Sequence, residues 1–382
     1  MSTLDERTRA DVRLRGQGLS DEFLRRQSNA YRGPRPMVNV GLIGLGYWGP
    51  NLLRVLAEME DVAVTRICDL DEDRLYRYCR RHPYTTPSTD YRAMLEDPAV
   101  DAVLVATPVQ SHFKIASEAL AAGKHTFVEK PLASTAREAD ALILMSDEAG
   151  RVLMSGLTFL YSPPVRAIKR LLERRELGDI YFISSSRVNL GPYRKDVSVI
   201  CDLAPHDFSM LLYWMEEMPH TIRAVGKDAI RNGIPDVAFI ALSFASGVVA
   251  NLEVSWIAPS KLRRTVIVGS KKMVVYEDGA AEQVKVFDKG FDYEKPEGFG
   301  EYQLSTRTGD IVIPKLDTAE PLAVELRDFV EAVRRGSGAR ESLLLSRDVV
   351  RLIEQADSSL RQNAKRVASR KRETALAYIG AH

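Results

Sequence analysis

An apolar strand, His125-Thr126-Phe127-Val128-Glu129, ends in Lys130 directly before Pro131. At a strand end redirected by proline, an ammonium points into the mouth of a cleft. There it can donate to a substrate hydroxyl and stabilise alkoxide character as hydride leaves the carbon. Position alone is equally compatible with a surface lysine. A second cluster, Cys201-Asp202-Leu203-Ala204-Pro205-His206-Asp207, sets an acid four residues ahead of a histidine. Pro205 lacks an N–H and suits the first turn of a helix, which places His206 near a helix N-terminus. The positive dipole end there disfavours imidazolium and leaves a neutral ring able to take a proton. Asp202, if it shares that face, would fix the tautomer and stabilise the charged ring. The plainer alternative makes Asp202 a helix cap and His206 an ordinary first-turn residue.

Hydride chemistry needs a carrier, and the chain offers a place for one. Gly44-Leu45-Gly46-Tyr47-Trp48-Gly49 follows an apolar strand, Met37 to Ile43, and precedes a helical pattern that begins at Asn51. In such a turn Gly44 permits the tight bend, Gly46 lets backbone approach a pyrophosphate, and Gly49 lets the helix pack close to the strand. The helix N-terminus adds unpaired N–H groups for phosphates. Twenty residues past Gly49, a second apolar run ends in Asp69, an acid placed to accept from a ribose diol. That carboxylate would repel a 2′-phosphate and the adjoining Leu70 offers no compensating cation, so NAD is expected and NADP disfavoured. Ligands of such folds sit beyond strand ends. Tyr47, Trp48, Thr107, Pro108, His112, Glu129 and Lys130 therefore join the glycines, Asp69 and Leu70 as expected cofactor contacts. For His112 a helix-entry role is equally open.

The elements that must carry these residues are legible in outline. Strand and helix alternate from Met37 to about Thr158, the signature of a parallel sheet in an α/β fold. Beyond Pro163-Pro164 strands predominate, with hairpin signals at Ala245-Ser246-Gly247 and Gly269-Ser270-Lys271-Lys272 that suggest antiparallel neighbours. Two amphipathic helices, Pro321 to Arg335 and Ser346 to Gln362, close the chain, and Glu294 to Tyr302 reads as loop. The division expected is an arm over 1–36, a cofactor domain over 37–158, and a substrate and assembly domain over 159–382. The arm is rich in arginine but also in acids, and a solvated extension or an oligomer-contacting arm both fit it.

Composition excludes several classes. Across 382 residues, 53 Lys and Arg nearly balance 52 Asp and Glu, so no global field favours nucleic acid or membrane. No apolar stretch reaches the length of a membrane span. Cys68, Cys79 and Cys201 are scattered and form no metal-ligand spacing, which points to a reducing, cytoplasmic setting and to no metal. No Gly-x-Ser-x-Gly or His-Glu-x-x-His motif supports a hydrolase.

Taken in order, Gly44 to Gly49, Ala106-Thr107-Pro108, Glu129-Lys130-Pro131 and Asp202-x-x-x-His206-Asp207 resemble the glucose–fructose oxidoreductase and inositol dehydrogenase family, over about Val38 to Asn363. The resemblance implies an N-terminal doubly wound Rossmann domain and a C-terminal α/β domain with a large, mostly antiparallel sheet. In the family that sheet's open face commonly mediates homodimers or homotetramers. It also implies that Lys130, Asp202 and His206 are the catalytic lysine, aspartate and histidine. Segments such as Thr158 to Pro164, Ser186 to Gly191 and Ser255 to Pro259 look like members acting on nucleotide-linked sugars, of the UDP-N-acetylglucosaminuronate 3-dehydrogenase kind. Tyr161, Arg187 and Asn189 are then the expected substrate contacts, although each also suits ordinary strand packing. Many relatives carry an arginine where this chain has Phe159-Leu160, and glycines where it has Val199-Ile200-Cys201. The implied activity is NAD-dependent oxidation of a sugar secondary hydroxyl to a ketone. Alternatives are a ketosugar reductase running in reverse and a catalytically silent NAD-binding sensor.

Overall fold

The protein is described from a computed structural model over residues 36–191, 193–293 and 304–379. The expected arm, apart from Pro36, and the expected loop Glu294 to Tyr302 lie outside the described residues.

A six-stranded parallel sheet comes first: β1 (Val38–Ile43), β2 (Val62–Cys68), β3 (Thr86–Ser88), β4 (Ala102–Val105), β5 (His125–Glu129) and β6 (Leu153–Gly156). Its order, β3-β2-β1-β4-β5-β6, reverses direction between β1 and β4. Helices α1 (Gly49–Ala57), α2 (Glu72–Cys79), α3 (Arg92–Leu95), α4 (Val109–Ala121) and α5 (Ala136–Ala149) connect the strands. Every residue of β4 and β5 is buried, because helices cover both faces and leave no strand side for water. Reversal of the order brings the turn after β1 beside the turn after β4, and the crevice between them is where such sheets take ligands.

From Thr158–Tyr161, a single 3₁₀ turn, the chain passes through α6 (Pro163–Glu173) into the second sheet. Its eight strands are β7 (Ile180–Leu190), β8 (Thr221–Lys227), β9 (Val237–Ser243), β10 (Val249–Ser255), β11 (Ile257–Gly269), β12 (Met273–Glu277), β13 (Val284–Tyr293) and β14 (Leu304–Val312), in the order β14-β13-β12-β11-β7-β10-β9-β8. Both expected hairpins form, β9–β10 and β11–β12. One pair departs from the antiparallel expectation: β7 and β10 run parallel. A parallel pair needs a long crossover, and α7 (Val199–Met215), β8 and β9 supply it. Burial alternates along β9, with Ala238, Ile240 and Leu242 inward, so one face is packed and the other open.

The last two helices, α8 (Pro321–Arg335) and α9 (Arg340–Ile379), fold back across both domains. Arg327 pairs with Asp61 at 2.6 Å, and Glu354 accepts from the Ala136 N–H at the start of α5 at 3.0 Å. On the other side Ser359 accepts from the Ala224 N–H of β8 at 2.9 Å. One apolar core runs without interruption from Val40 to Leu360. No helix among the described residues is long and apolar enough to cross a membrane.

Candidate active site and cofactor crevice

Backbone geometry explains each glycine of the first turn. Gly44 sits at φ +98°, and a Cβ there would lie 2.6 Å from the Ala106 carbonyl. A Cβ on Gly49 would lie 2.0 Å from the Gly44 carbonyl, so only glycine lets α1 begin this close to β1. Around Gly46 the same construction meets nothing within 4 Å. That open cradle, at the N-terminus of α1, fits a pyrophosphate. Asp69 closes the turn from below. One carboxylate oxygen accepts from the Leu45 N–H at 2.6 Å and the other from the Asp71 N–H at 2.9 Å. A carboxylate offers about four acceptor positions, so capacity for a ribose diol remains. Arg74, which sequence reasoning passed over, reaches to 3.6 Å from Asp69 and 3.1 Å from Asp71. A cation therefore stands beside Asp69, engaged by two acids. Tyr47 and Leu70 lie exposed on the rim, and half-buried Trp48 packs edge-on to Tyr47.

Two expected cofactor contacts have buried side chains. His112 is 1% exposed, with Nδ1 2.9 Å from the Pro131 carbonyl and Nε2 2.8 Å from the Thr107 carbonyl. Burial holds its pKa below the ordinary histidine value while the two carbonyls oppose that shift, and the ring sits wedged between the two strand-end loops. The Glu129 side chain is buried between Lys130 and Gly156, and burial pushes its carboxyl up to about 7.

The expected catalytic residues do converge, with different partners. Lys130 Nζ donates to the Asp202 carbonyl at 2.8 Å and lies 3.8 Å from the Asp202 carboxylate. Burial lowers the Lys130 pKa, while Asp202 and Glu129 oppose that shift. The Asp202 carboxylate accepts from Trp256 Nε1 at 3.1 Å. No hydrogen bond joins Asp202 to His206 among the described residues, so the expected orienting pair does not form. The helix also begins further upstream than expected. Ser198, not Asp202, caps α7 by accepting from the Cys201 N–H at 3.2 Å, and Pro205 lies inside the helix. His206 is thus two turns from the N-terminus, beyond the reach of the dipole end. Its ring still disfavours a proton, held well below the ordinary value first by burial and then by the charges of Lys130, Arg187 and Arg263. Phe159, at the position where relatives were expected to carry arginine, packs against the His206 ring with centroids 4.9 Å apart.

The expected substrate contacts divide. Tyr161 is buried beneath α8, its hydroxyl donating to Asp328 at 2.8 Å, and shows no face to the cleft. Arg187 is 4% exposed and spends its Nε on Asp207 at 2.5 Å, an internal ion pair in place of a substrate contact. Half-buried Asn189 is different: its side-chain oxygen is buried and has no hydrogen-bond partner within the protein. Above the cleft, the Gln110 amide of α4 donates to the Asp196 carbonyl at 3.0 Å and bridges the two domains.

A cradle for a dinucleotide and a cluster able to handle a hydroxyl proton thus meet at one edge of one sheet, the arrangement a two-domain nicotinamide-linked oxidoreductase requires. Residues 38–157 match the oxidoreductase family with NAD-binding Rossmann fold, and residues 165–275 match the GFO/IDH/MocA C-terminal domain. The chain belongs to this family, and its first domain is an NAD-binding domain. It is 26% identical over 334 residues to the myo-inositol 2-dehydrogenase of Thermotoga maritima, covering 82% of this chain and 98% of that one. It is 28% identical over 304 residues to the UDP-N-acetylglucosamine 3-dehydrogenase of Acidithiobacillus ferrooxidans, covering 78% of this chain and 88% of that one. Among solved structures, an oxidoreductase of Magnetospirillum magnetotacticum superposes with a TM-score of 0.71 at 28% identity, over 84% of this chain and 99% of that one.

Proposed function

We propose that the protein oxidises a secondary hydroxyl of a nucleotide-linked sugar to a ketone, with NAD as the hydride acceptor. The observation that carries this reading is the convergence of Lys130, at the end of β5, with Asp202 and His206 of α7. In this reading residues 37–158 hold the cofactor and 159–382 hold the sugar. Bound NAD supplies the hydride-accepting nicotinamide. The Gly44–Gly49 turn receives the pyrophosphate and Asp69 the adenosine ribose, whose diol suits a carboxylate better than a 2′-phosphate would. Lys130, fixed by the Asp202 carbonyl, donates to the substrate oxygen and steadies its growing negative charge. His206, kept neutral, accepts the hydroxyl proton. Run in reverse, the same groups reduce a ketosugar. A second assignment makes Lys130 the proton acceptor; the burial that lowers its pKa toward the working range favours it.

The nucleotide-linked class draws support from the similarity to the UDP-N-acetylglucosamine 3-dehydrogenase and from the free acceptor on Asn189. The test is a panel of UDP-sugars and free polyols, read by nicotinamide absorbance. Turnover of UDP-sugars above polyols is expected; turnover of polyols alone overturns the substrate class. The second sheet's open face carries apolar side chains in register, Val225 beside Phe239 and Phe182 beside Val249, each at least 40% exposed. Such a patch suits a second copy of the chain, and a homodimer or homotetramer is part of the proposal.

A further inference from the structure

Asp202 does not touch His206, yet a proton-accepting ring needs something to hold it. The residue beside it in sequence leads to what does. Adjacent residues on a helix point about 100° apart, so while His206 faces Phe159, Asp207 turns toward the second sheet and is 2% exposed. Both of its oxygens are taken: Oδ2 accepts from Arg187 Nε at 2.5 Å and Oδ1 from the Ser185 hydroxyl at 2.7 Å. Ser185 is itself 3.0 Å from the Thr265 hydroxyl of β11. All four side chains are buried. The Arg187 guanidinium carbon lies 4.6 Å from the centre of the Phe159 ring, and that ring packs on His206. A continuous chain of contacts thus runs from Asp207 through Arg187 and Phe159 to the imidazole of His206.

We propose that the buried Arg187–Asp207 ion pair, acting through Phe159, is the positioning device of His206. It does the work that the sequence suggested for Asp202. The pair rests on the reading of His206 as proton acceptor. A buried charge pair is a poor way to gain stability, because desolvation offsets most of the attraction. It is an effective way to set a fixed field beside a titrating group. Three cations face His206: Lys130 from the end of β5, Arg187 from β7 and Arg263 from β11. Arg263 is paired at 2.9 Å with Asp278, and Lys130 faces Asp202. Tyr276 of β12 stands beside the Arg187–Asp207 pair. Arg187 is the one of the three cations that also touches the ring on which His206 rests.

The test reads His206 directly, without any substrate. Nitrogen-labelled histidine in the full-length protein is titrated by NMR, with His206→Asn identifying its signal. In the native protein the ring is expected to titrate below the ordinary value. Arg187→Met removes a cation and uncovers a carboxylate, so the titration should move up. Asp207→Asn leaves that cation unneutralised, so it should move down. Arg187→Lys, which keeps the charge, should stay near the native value. Single removal can destabilise the fold, so the double variant Arg187→Met/Asp207→Leu, which buries no charge, is measured alongside and should also titrate above native. Phe159→Leu should alter the ring's line width as its seat is lost, and an unchanged line width would overturn the link through Phe159. Equal titration in the native protein, Arg187→Met and the double variant would overturn the proposal, as would single-variant shifts of the same sign. A His206 that titrates as proposed in a protein that turns over no sugar leaves the device standing and removes the dehydrogenase reading.

Discussion

Asp69 is the most economical place to probe cofactor choice. Its carboxylate holds the glycine turn through Leu45 and is proposed to take the adenosine ribose, while Arg74 stands 3.6 Å away. Asp69→Ala removes the ribose acceptor and releases Arg74 from one of its acids. Calorimetry should show NAD binding weakened by about 1.5–3 kcal/mol, the range for hydrogen bonds to a charged group, and a smaller preference over NADP. Unchanged affinity for both cofactors would take Asp69 out of the site. The placement of the glycines, Asp69 and Lys130 was legible because it follows from local chain geometry: a turn, a strand end, a redirecting proline. The internal partners of Tyr161 and Arg187 were not legible because they lie on other elements. Asp328 lies 167 residues from Tyr161, and Asp207 lies across the second sheet's packed face from Arg187. Asn189 is the substrate candidate whose acceptor stays unengaged.

Helix register decided what sequence could say of α7. Proline favours a first turn, yet Ser198 caps the helix and also donates to Asp357 of α9 at 3.0 Å, a tertiary anchor that pulls the start upstream of Pro205. The closing helices likewise read well as amphipathic elements, but not as a clasp over both domains. Their clasp contains a titratable element. Glu325 of α8 is fully buried, accepts from the Thr158 hydroxyl at 2.6 Å, and leaves its other oxygen without a partner. Burial raises its pKa well above the usual carboxylate value, with Glu129 adding to the shift. A raised folded-state pKa means that stability is fully present below the unfolded value, near 4.5, and is lost as pH rises through the folded one. Glu325→Gln keeps the acceptor for Thr158 and carries no charge at any pH. Its melting temperature should match the native protein near pH 4.5 and exceed it by a few degrees at pH 8. A variant less stable at pH 8 would show Glu325 to be ionised and paired.

At the scale of the whole molecule, the doubly wound sheet and the antiparallel sheet were both foreseen; the parallel β7–β10 pair was not, because strand order is set by which faces must be covered rather than by local pattern. Val225, Phe239 and Val249 stand out from the open face. Phe239→Lys should shift the sedimentation of the protein toward monomer while leaving NAD affinity intact. Persistence of the native assembly would place the interface elsewhere. Deletion of Met1 to Gly33 should also leave NAD binding intact, because the strand, glycine turn and helix proposed to hold NAD begin at Val38. Loss of binding in a folded truncation would move the domain boundary.

In the proposed reaction Lys130 and His206 divide the work of taking a proton and steadying an oxygen. The measurement is turnover against pH for the native protein, His206→Asn and Lys130→Ala, on the best substrate of the sugar panel, with NAD binding checked in each. The native protein should keep its activity below the ordinary histidine pKa of about 6.5, because the buried ring stays neutral there. His206→Asn should fall by about 10²–10⁴-fold and recover most of that loss as hydroxide replaces the missing acceptor. Lys130→Ala should be slow at every pH and still bind NAD. Alkaline rescue of the Lys130 variant in place of the His206 variant would reverse the two roles. Full turnover in both variants would contradict the account and put the chemistry elsewhere in the molecule.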